Sequence, residues 1–184
     1  MENTIKNLTS ILNQFKKSKN MFQIFSDVME ICSISEHQHI YNLGWKPKDD
    51  NYKLLEKKYL ELINDYEKPD RDLMVKFYST LKIFFIQGNY GDVLGEVYIS
   101  LELGNKRNGQ FFTPYHISKM MAEMTMTGIE EAIRNQGYFS ASDPCSGAGG
   151  MLIAASDLLK TRNIAANLMI FQAIDIDRLC FNGS

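Results

Sequence analysis

Ser-Asp-Pro-Cys-Ser-Gly-Ala-Gly-Gly, residues 142–150, is the stretch that decides the fold expected for this chain. It joins a strand candidate, Tyr138 to Ser142, to a helix expected from Met151 to about Thr161. The most strand-like run, Met169 to Ile174, follows and ends in Asp175-Ile176-Asp177. The order of strand, glycine-rich turn, helix and strand predicts one βαβ unit with a right-handed crossover, and so the start of a parallel sheet in an α/β fold.

Residues 1–88 show apolar residues at helical spacing and predict an N-terminal helical region. A loop is expected from Glu36 to Asp50, Asp70 is expected to cap the last helix, and Gly88 to end it. The four predicted helices are Ile5–Phe15, Met21–Ile34, Leu54–Tyr66 and Leu73–Phe85. Residues 89–184 are then expected to form a second domain.

The segment between these two parts is also expected to be helical. A short helix is predicted at about 92–103, followed by a polar loop, Gly104 to Gln110, and another short helix is predicted near Ile129 to Asn135. Between them, Thr113 is expected to cap a helix in which Pro114 takes the first position, where its missing N–H costs nothing. Of that helix, Ile117, Met120, Met121 and Met124 are expected to form the face packed in the core.

Charge and cysteine content exclude several classes of protein. The formal charge is −2, and Lys and Arg number 13 against 12 acidic residues in 1–88 and 7 against 10 in 89–184. Neither part has the excess of Lys and Arg that a nucleic-acid-binding surface needs. The three cysteines lack CxxC spacing, so neither a disulfide framework nor a zinc site is indicated. Without a leader pattern or a long apolar run, the chain is expected to be cytoplasmic and not in a membrane.

The glycine-rich turn could bind a ligand or merely reverse the chain. Asp175 lies 26 residues after Gly149 at a strand end, where an acid can accept both hydroxyl protons of a ribose. Such an acid can also cap a helix. Turn and acid together favour a nucleoside-bearing cofactor.

The residues around the turn narrow the choice of cofactor. The third glycine of a nicotinamide GxGxxG fingerprint is replaced by Leu152, and no Gly-Lys-Ser/Thr of a phosphate-binding loop is present. Asp143, at the end of the first strand, suits a ligand with a positive amino group better than a pyrophosphate. These features favour S-adenosylmethionine.

Two motifs carry a family resemblance that covers about residues 89–181. Asp-Pro-Cys-Ser-Gly-Ala-Gly-Gly at 143–150 resembles motif I of amino-methyltransferases, and Asn-Gly-Gln-Phe-Phe-Thr-Pro at 108–114 resembles their motif X. The stretch Gly91 to Tyr98 is similar to the segment before motif X in modification subunits of type I restriction systems and their phage or plasmid relatives. The motif order is that of gamma-group DNA adenine-N6 methyltransferases. The resemblance implies the start of a Rossmann-like, S-adenosylmethionine-dependent methyltransferase sheet.

The resemblance also implies a cofactor site, and the spacing of the cysteines and histidines indicates no metal. Thr113 would bind the carboxylate of the methionine end, Asp143 its amino group and Asp175 the ribose, with Asp177 left as a less favoured alternative. Ile176 would pack on the adenine, and Gly147 and Gly149 would let the backbone approach. The complete implied set is Gln110, Phe111, Phe112, Thr113, Pro114, Asp143, Pro144, Gly147, Gly149, Asp175 and Ile176.

The catalytic Asn/Asp-Pro-Pro-Tyr/Phe motif of this family does not occur in the 184 residues. We therefore expect a methyltransferase fragment that is inactive alone, and prefer a truncated product to a short protein that keeps the cofactor end for another purpose. DNA would be bound through parts outside this sequence, together with specificity or restriction subunits. A two-strand sheet with open edges and one apolar face would favour a partner or self-association. The alternative is a non-catalytic helical interaction module with a vestigial cofactor-binding fold.

Overall fold

The structure, a computed structural model, describes residues 1–16, 19–103 and 113–175. These residues form eight α-helices, two β-strands and one 3-10 turn at Ala166–Leu168. The elements are α1 Glu2–Leu12, α2 Met21–Asn42, α3 Asp50–Asn64, α4 Lys68–Ile86, α5 Val93–Ser100, α6 Tyr115–Thr125, α7 Ile129–Gln136, β1 Phe139–Asp143, α8 Gly150–Thr161 and β2 Met169–Ala173.

The first apolar cluster lies among α1, α2, α4 and α5. Leu8, Ile11 and Leu12 of α1 are fully buried in it, together with Phe77 of α4. α5 also belongs to this cluster, because its buried face of Val93, Val97 and Tyr98 packs there. The helical region therefore has its own core, and α5 is part of it.

The second apolar cluster lies among α6, α7, α8 and the two strands. α6 packs closely on α8, and small side chains allow this approach, since Ala122 of α6 and Ala154 and Ala155 of α8 are all buried. Ile129 of α7 and Leu159 of α8 are almost fully buried in the same cluster.

The βαβ unit predicted from the sequence is confirmed. β1 and β2 are parallel neighbours in register from Phe139 opposite Met169 to Asp143 opposite Ala173, and α8 lies between them in the chain. Backbone pairing continues just past the strands, where the Ile174 N–H donates to the Asp143 carbonyl at 2.9 Å. The carboxyl ends of both strands thus meet at one edge of the sheet, beside the glycine-rich loop.

The loop predicted from Glu36 to Asp50 is wrong over its first half, because α2 continues to Asn42. Gln38 and Tyr41 are buried and extend the helical spacing of the apolar residues before them. Gln38 donates to the Glu56 carboxylate of α3 at 2.8 Å. The break comes at Gly44, whose φ of +75° suits glycine and ends the helix.

Two predicted helix caps are also wrong. α4 begins at Lys68 after Glu67, so Asp70 lies inside the first turn, where its carboxylate accepts the Lys16 backbone N–H at 3.2 Å. α6 begins at Tyr115, and Pro114 rather than Thr113 takes the cap position. The extended ψ of 137° keeps Pro114 outside the helix while its carbonyl accepts the first N–H groups.

The methionine face of α6 is exposed rather than packed in the core. Met120, Met121 and Met124 are 51%, 41% and 68% exposed. The buried stripe is instead Tyr115, Ser118 and Ala122. Close packing on α8 requires small side chains, and this selects the stripe with Ser118 and Ala122 over the methionines.

The outer face of the two-strand sheet is mixed rather than apolar. Its exposed positions are Ser140 and Ser142 of β1 and Ile170 and Gln172 of β2. The Ser142 hydroxyl donates to the Gln172 side-chain oxygen at 3.3 Å. The apolar side chains of the sheet, Phe139, Ala141 and Phe171, lie on the other face and line an open groove beside α6 and α8.

Candidate cofactor site

The loop between β1 and α8 has a backbone that needs glycine at two positions. Gly147 and Gly149 adopt φ values of +54° and +81°, in the left-handed region that side chains disfavour. The Ser146 N–H donates to the Ile174 carbonyl at 3.0 Å, and the Gly149 N–H to the Ser146 carbonyl at 2.8 Å. The loop is thus tied to the end of β2 and leads directly into α8, whose first N–H groups lie at its base.

The two acids at the strand ends both contact this loop. Asp143 accepts the backbone N–H of Cys145 at 3.1 Å, and Asp175 accepts the backbone N–H of Gly147 at 2.8 Å. The parallel strands therefore bring both predicted acids to one short turn. This is where an acid can hold an amino group and a second acid can hold hydroxyl groups.

A small cavity of about 80 Å³ opens at the loop. It brings together three of the sequence-predicted residues, Thr113, Asp143 and Gly147. Asp175 does not line the cavity, but its carboxylate accepts the N–H of Gly147, which does. Four other predicted residues lie outside the described residues: Gln110, Phe111, Phe112 and Ile176. The cavity lining is Asp92, Thr113, Ser118, Asp143, Cys145, Ser146, Gly147, Ala148, Gly150 and Met151.

Asp92 is a site residue that the sequence reasoning missed. Its carboxylate caps α5 by accepting the Gly95 N–H at 2.8 Å, and the residue is only 3% exposed. Burial raises the pKa of this carboxyl from 3.8 to about 6, the Gly95 N–H lowers it, and Glu96 raises it further. The sequence predicts that Asp92 caps the apolar helix that follows it. It does not predict that the capping carboxylate also lies at a cavity, because the cavity is formed by residues from other elements.

Ser118 is the second missed residue. It is completely buried, and within the part of the chain that the structure describes its hydroxyl has no hydrogen-bond partner. A buried hydroxyl without a partner costs about 1–3 kcal/mol, so such a group needs an explanation. Its position on the cavity wall supplies one, because a bound polar group could pair with it.

Next to Ser118, Tyr115 and Lys119 of α6 both contact Asp157 of α8. The Tyr115 hydroxyl donates to the Asp157 carboxylate at 3.5 Å, and the Lys119 ammonium lies 2.9 Å from it. Burial and the charge of Asp157 raise the pKa of Tyr115 to about 12. These contacts join α6 to α8 and hold Ser118 at the cavity wall.

A larger groove of about 430 Å³ runs between α6, α8 and the strands. Its lining is mostly apolar, and it reaches Asp143 at one end. The apolar residues include Met121 of α6, Met126 just after that helix, Phe139 of β1, Leu152 of α8 and Phe171 of β2. The polar cavity and this apolar groove therefore share the carboxyl end of β1.

A glycine-rich turn between a parallel strand and a helix, with acids at both strand ends, is the architecture of nucleoside-cofactor-binding α/β proteins. The chain belongs to the N-6 DNA methylase family, whose family model matches residues 89–181. Membership places it in the class of DNA methyltransferases, a family that typically uses S-adenosylmethionine and acts on DNA.

The other comparisons give no match. No curated protein and no solved structure matches the chain significantly. Within the described residues, no helix has both the length and the apolarity needed to cross a membrane, and no group of three or more His, Cys, Asp or Glu is arranged to hold a metal.

Proposed function

We propose that this chain is the cofactor-binding part of an S-adenosylmethionine-dependent DNA adenine-N6 methyltransferase of the gamma group. We propose that its relatives are the modification subunits of type I restriction systems and similar phage or plasmid enzymes. The observation that carries the proposal is the meeting of Thr113, Asp143 and Gly147 at one cavity, with Asp175 bonded to the same loop. Thr113 belongs to one resembling motif and Asp143 and Gly147 to the other, and these three residues line the same cavity.

The proposed roles follow from the chemistry of each group. Asp143 accepts from the amino group of the cofactor, Thr113 donates to its carboxylate, and Asp175 accepts from the ribose hydroxyls. Gly147 and Gly149 let the ligand approach the backbone. Phe112 and Pro114 lie against the methionine end, Ile176 against the adenine, and Gln110, Phe111 and Pro144 complete the proposed set.

The described residues fit such a ligand. The cavity lining includes carboxylates, which can bind a positively charged ligand group, and the Ser118 hydroxyl, which has no partner within the described residues. Gly147 and Gly149 have no side chains that would keep a ligand away from the loop backbone. The bound cofactor would supply the methyl group. The chain's own residues bind and orient it, and in the complete enzyme an in-line attack by adenine N6 would follow.

We further propose that residues 1–88 form a helical region and residues 89–184 a partial methyltransferase domain with a Rossmann-like sheet. The family match begins at residue 89, next to this boundary. Since neither part of the chain is basic, DNA binding is assigned to parts outside this sequence. Specificity or restriction subunits, or self-association, would provide further contacts. A cytoplasmic location fits these roles.

We expect no methyltransferase activity from the 184 residues alone. The Asn/Asp-Pro-Pro-Tyr/Phe tetrapeptide that would hold the target amino group and stack on the flipped base is not in the sequence. The measurement is transfer of labelled methyl groups to adenine-containing duplex DNA, with a complete adenine methyltransferase as the positive control. Methylation by the pure chain would contradict the expectation.

Calorimetry with S-adenosylhomocysteine tests cofactor binding. The wild-type chain should bind, and Asp175→Ala should weaken binding at least about tenfold, because loss of one or two charged hydrogen bonds costs about 1.5–3 kcal/mol each. Asp175→Asn keeps an acceptor for the Gly147 N–H and separates a ligand contact from a loop contact. Asp72→Asn, at an exposed position of α4, serves as the control. A folded wild-type chain that binds no cofactor would contradict the proposal and favour the interaction-module alternative.

A further inference from the structure

The Asp92 carboxylate is enclosed by glycines from two different helices. A Cβ on Gly95, in the first turn of α5, would overlap the Asp92 carboxylate. A Cβ on Gly150, the first residue of α8, would lie 2.9 Å from Asp92 Oδ2. One oxygen, Oδ1, accepts the Gly95 N–H and caps α5, while Oδ2 is the atom nearest to Gly150. The carboxylate thus extends beyond its own helix to the base of the glycine-rich loop.

Ser118 reaches the same place from a third helix. The Cβ position of Gly150 lies 3.5 Å from Ser118 Oγ, so Asp92 and Ser118 converge on one side of the first turn of α8. Both residues line the cavity together with Asp143. Ser118 is fully buried, and within the described residues its hydroxyl is unpartnered, which is the observation that a helix cap alone does not explain.

We propose that Asp92, Ser118 and Asp143 together form the pocket for the ammonium group of the cofactor's amino-acid end. This inference rests on the proposed function. An ammonium group has three N–H donors, and the cavity offers three acceptors on three separate elements. The assignment gives Ser118 a partner and places a positive charge beside two carboxylates.

The size of the cavity fits this part of the ligand. An engineered protein cavity of about 150 Å³ binds one benzene, so a cavity of about 80 Å³ suits a smaller group such as an ammonium group and not a nucleoside. The adenosine end must therefore lie outside the cavity. Asp92 and Ser118 would then contact a ligand only when its amino-acid end is present.

A purely structural Asp92 would behave differently. Asparagine caps helices as well as aspartate does, so Asp92→Asn keeps the bond to the Gly95 N–H and removes the charge. Ser118→Ala removes a hydroxyl that has no partner within the described residues, and so should not unfold the chain. Asp70→Asn is the matched control, because Asp70 is 5% exposed and also accepts a backbone N–H. It lies in α4 and does not line the cavity.

The experiment compares two ligands by calorimetry on the full 184-residue chain. S-adenosylhomocysteine has the amino-acid end, and 5′-methylthioadenosine lacks it. Asp92→Asn should weaken the binding of S-adenosylhomocysteine at least about tenfold, as expected for loss of one charged hydrogen bond. Ser118→Ala should weaken it about threefold, as expected for loss of one neutral hydrogen bond. In both variants the binding of 5′-methylthioadenosine should stay within about twofold of wild type. Asp70→Asn should change neither ligand. Circular dichroism checks that each variant is folded.

The outcomes separate this inference from the proposed function. Wild-type binding of S-adenosylhomocysteine that is unchanged in both Asp92→Asn and Ser118→Ala overturns the ammonium pocket and leaves the cofactor site standing. Equal weakening of both ligands also overturns it, because it shows a general loosening of the loop. A folded wild-type chain that binds neither ligand overturns the proposed function and this inference together.

Discussion

The two oxygens of the Asp92 carboxylate face different helices. Oδ1 satisfies an N–H at the start of α5, where an acceptor stabilises the helix by about 1 kcal/mol. Oδ2 points to the start of α8, and Gly95 and Gly150 leave the space for it. Burial of an ionised carboxylate is costly unless it is paired, and one backbone hydrogen bond offsets only part of that cost. A positively charged ligand group near Oδ2 would therefore lower the cost of burying the ionised Asp92 carboxylate.

The raised pKa of Asp92 predicts a pH-dependent stability. The folded chain keeps the proton to about pH 6 whereas the unfolded chain releases it near 3.8, so the contribution is full below about pH 4 and is lost as the pH rises through 6. Asp92→Asn should therefore gain stability over wild type, by up to about 3 kcal/mol between pH 4 and 7.5. Urea unfolding of both proteins at several pH values measures this difference.

Neighbouring groups define the control for that measurement. Glu96 of α5, Tyr115 of α6, and Asp143 and Cys145 at the cavity are the titratable groups around Asp92. All remain in Asp92→Asn, so the difference between the two proteins reports Asp92 together with its electrostatic interactions with Glu96 and Tyr115. A stability difference that stays constant with pH would show that Asp92 has an ordinary pKa in the folded chain.

At the scale of elements, the sequence predicts β1 and α8 because glycine or proline stands at their borders. It predicts β2 because Met169 to Ile174 is a short, mostly apolar run. The end of α2 could not be predicted in this way. His37, Gln38 and His39 are polar, and Gln38 and Tyr41 are buried through contacts with α3, including a Tyr41–Tyr52 ring contact at 5.4 Å. Such burial depends on a partner helix that lies beyond any local window of sequence.

α6 shows the same limit more sharply. Its sequence offers two stripes at helical spacing, and the more hydrophobic one, with three methionines, is the exposed one. The choice depends on α8, whose Ala154 and Ala155 accept a close neighbour with small side chains. The site follows the same rule, since the acids and glycines of the loop are local signals and were found. The approach of Asp92 and Ser118 to that loop is tertiary and was not.

At the scale of the whole molecule, the two apolar clusters are connected by contacts of Lys160 and by Asp92 at the candidate site. The Lys160 ammonium of α8 donates to the Gly88 carbonyl at 3.2 Å and lies 4.1 Å from the Tyr90 ring centre. Asp92 makes the second connection, between the starts of α5 and α8. α5 falls inside the family match yet packs in the first cluster, so it is an element through which the proposed domain contacts the helical region.

Native-state hydrogen exchange should resolve these two clusters. The first contains most of the fully buried large side chains, whereas the second includes a two-strand sheet with an exposed outer face within the described residues. Amides of α1 and α4 should therefore be protected at least about tenfold more than those of β1 and β2, which corresponds to about 1.4 kcal/mol of opening free energy. Amides of α5 should exchange with α1 and α4, because Val97 and Tyr98 pack against them, and not with α8. Exchange of α5 together with α8 would instead show that residues 89–175 open as one unit, and equal protection throughout would show that the two clusters unfold together.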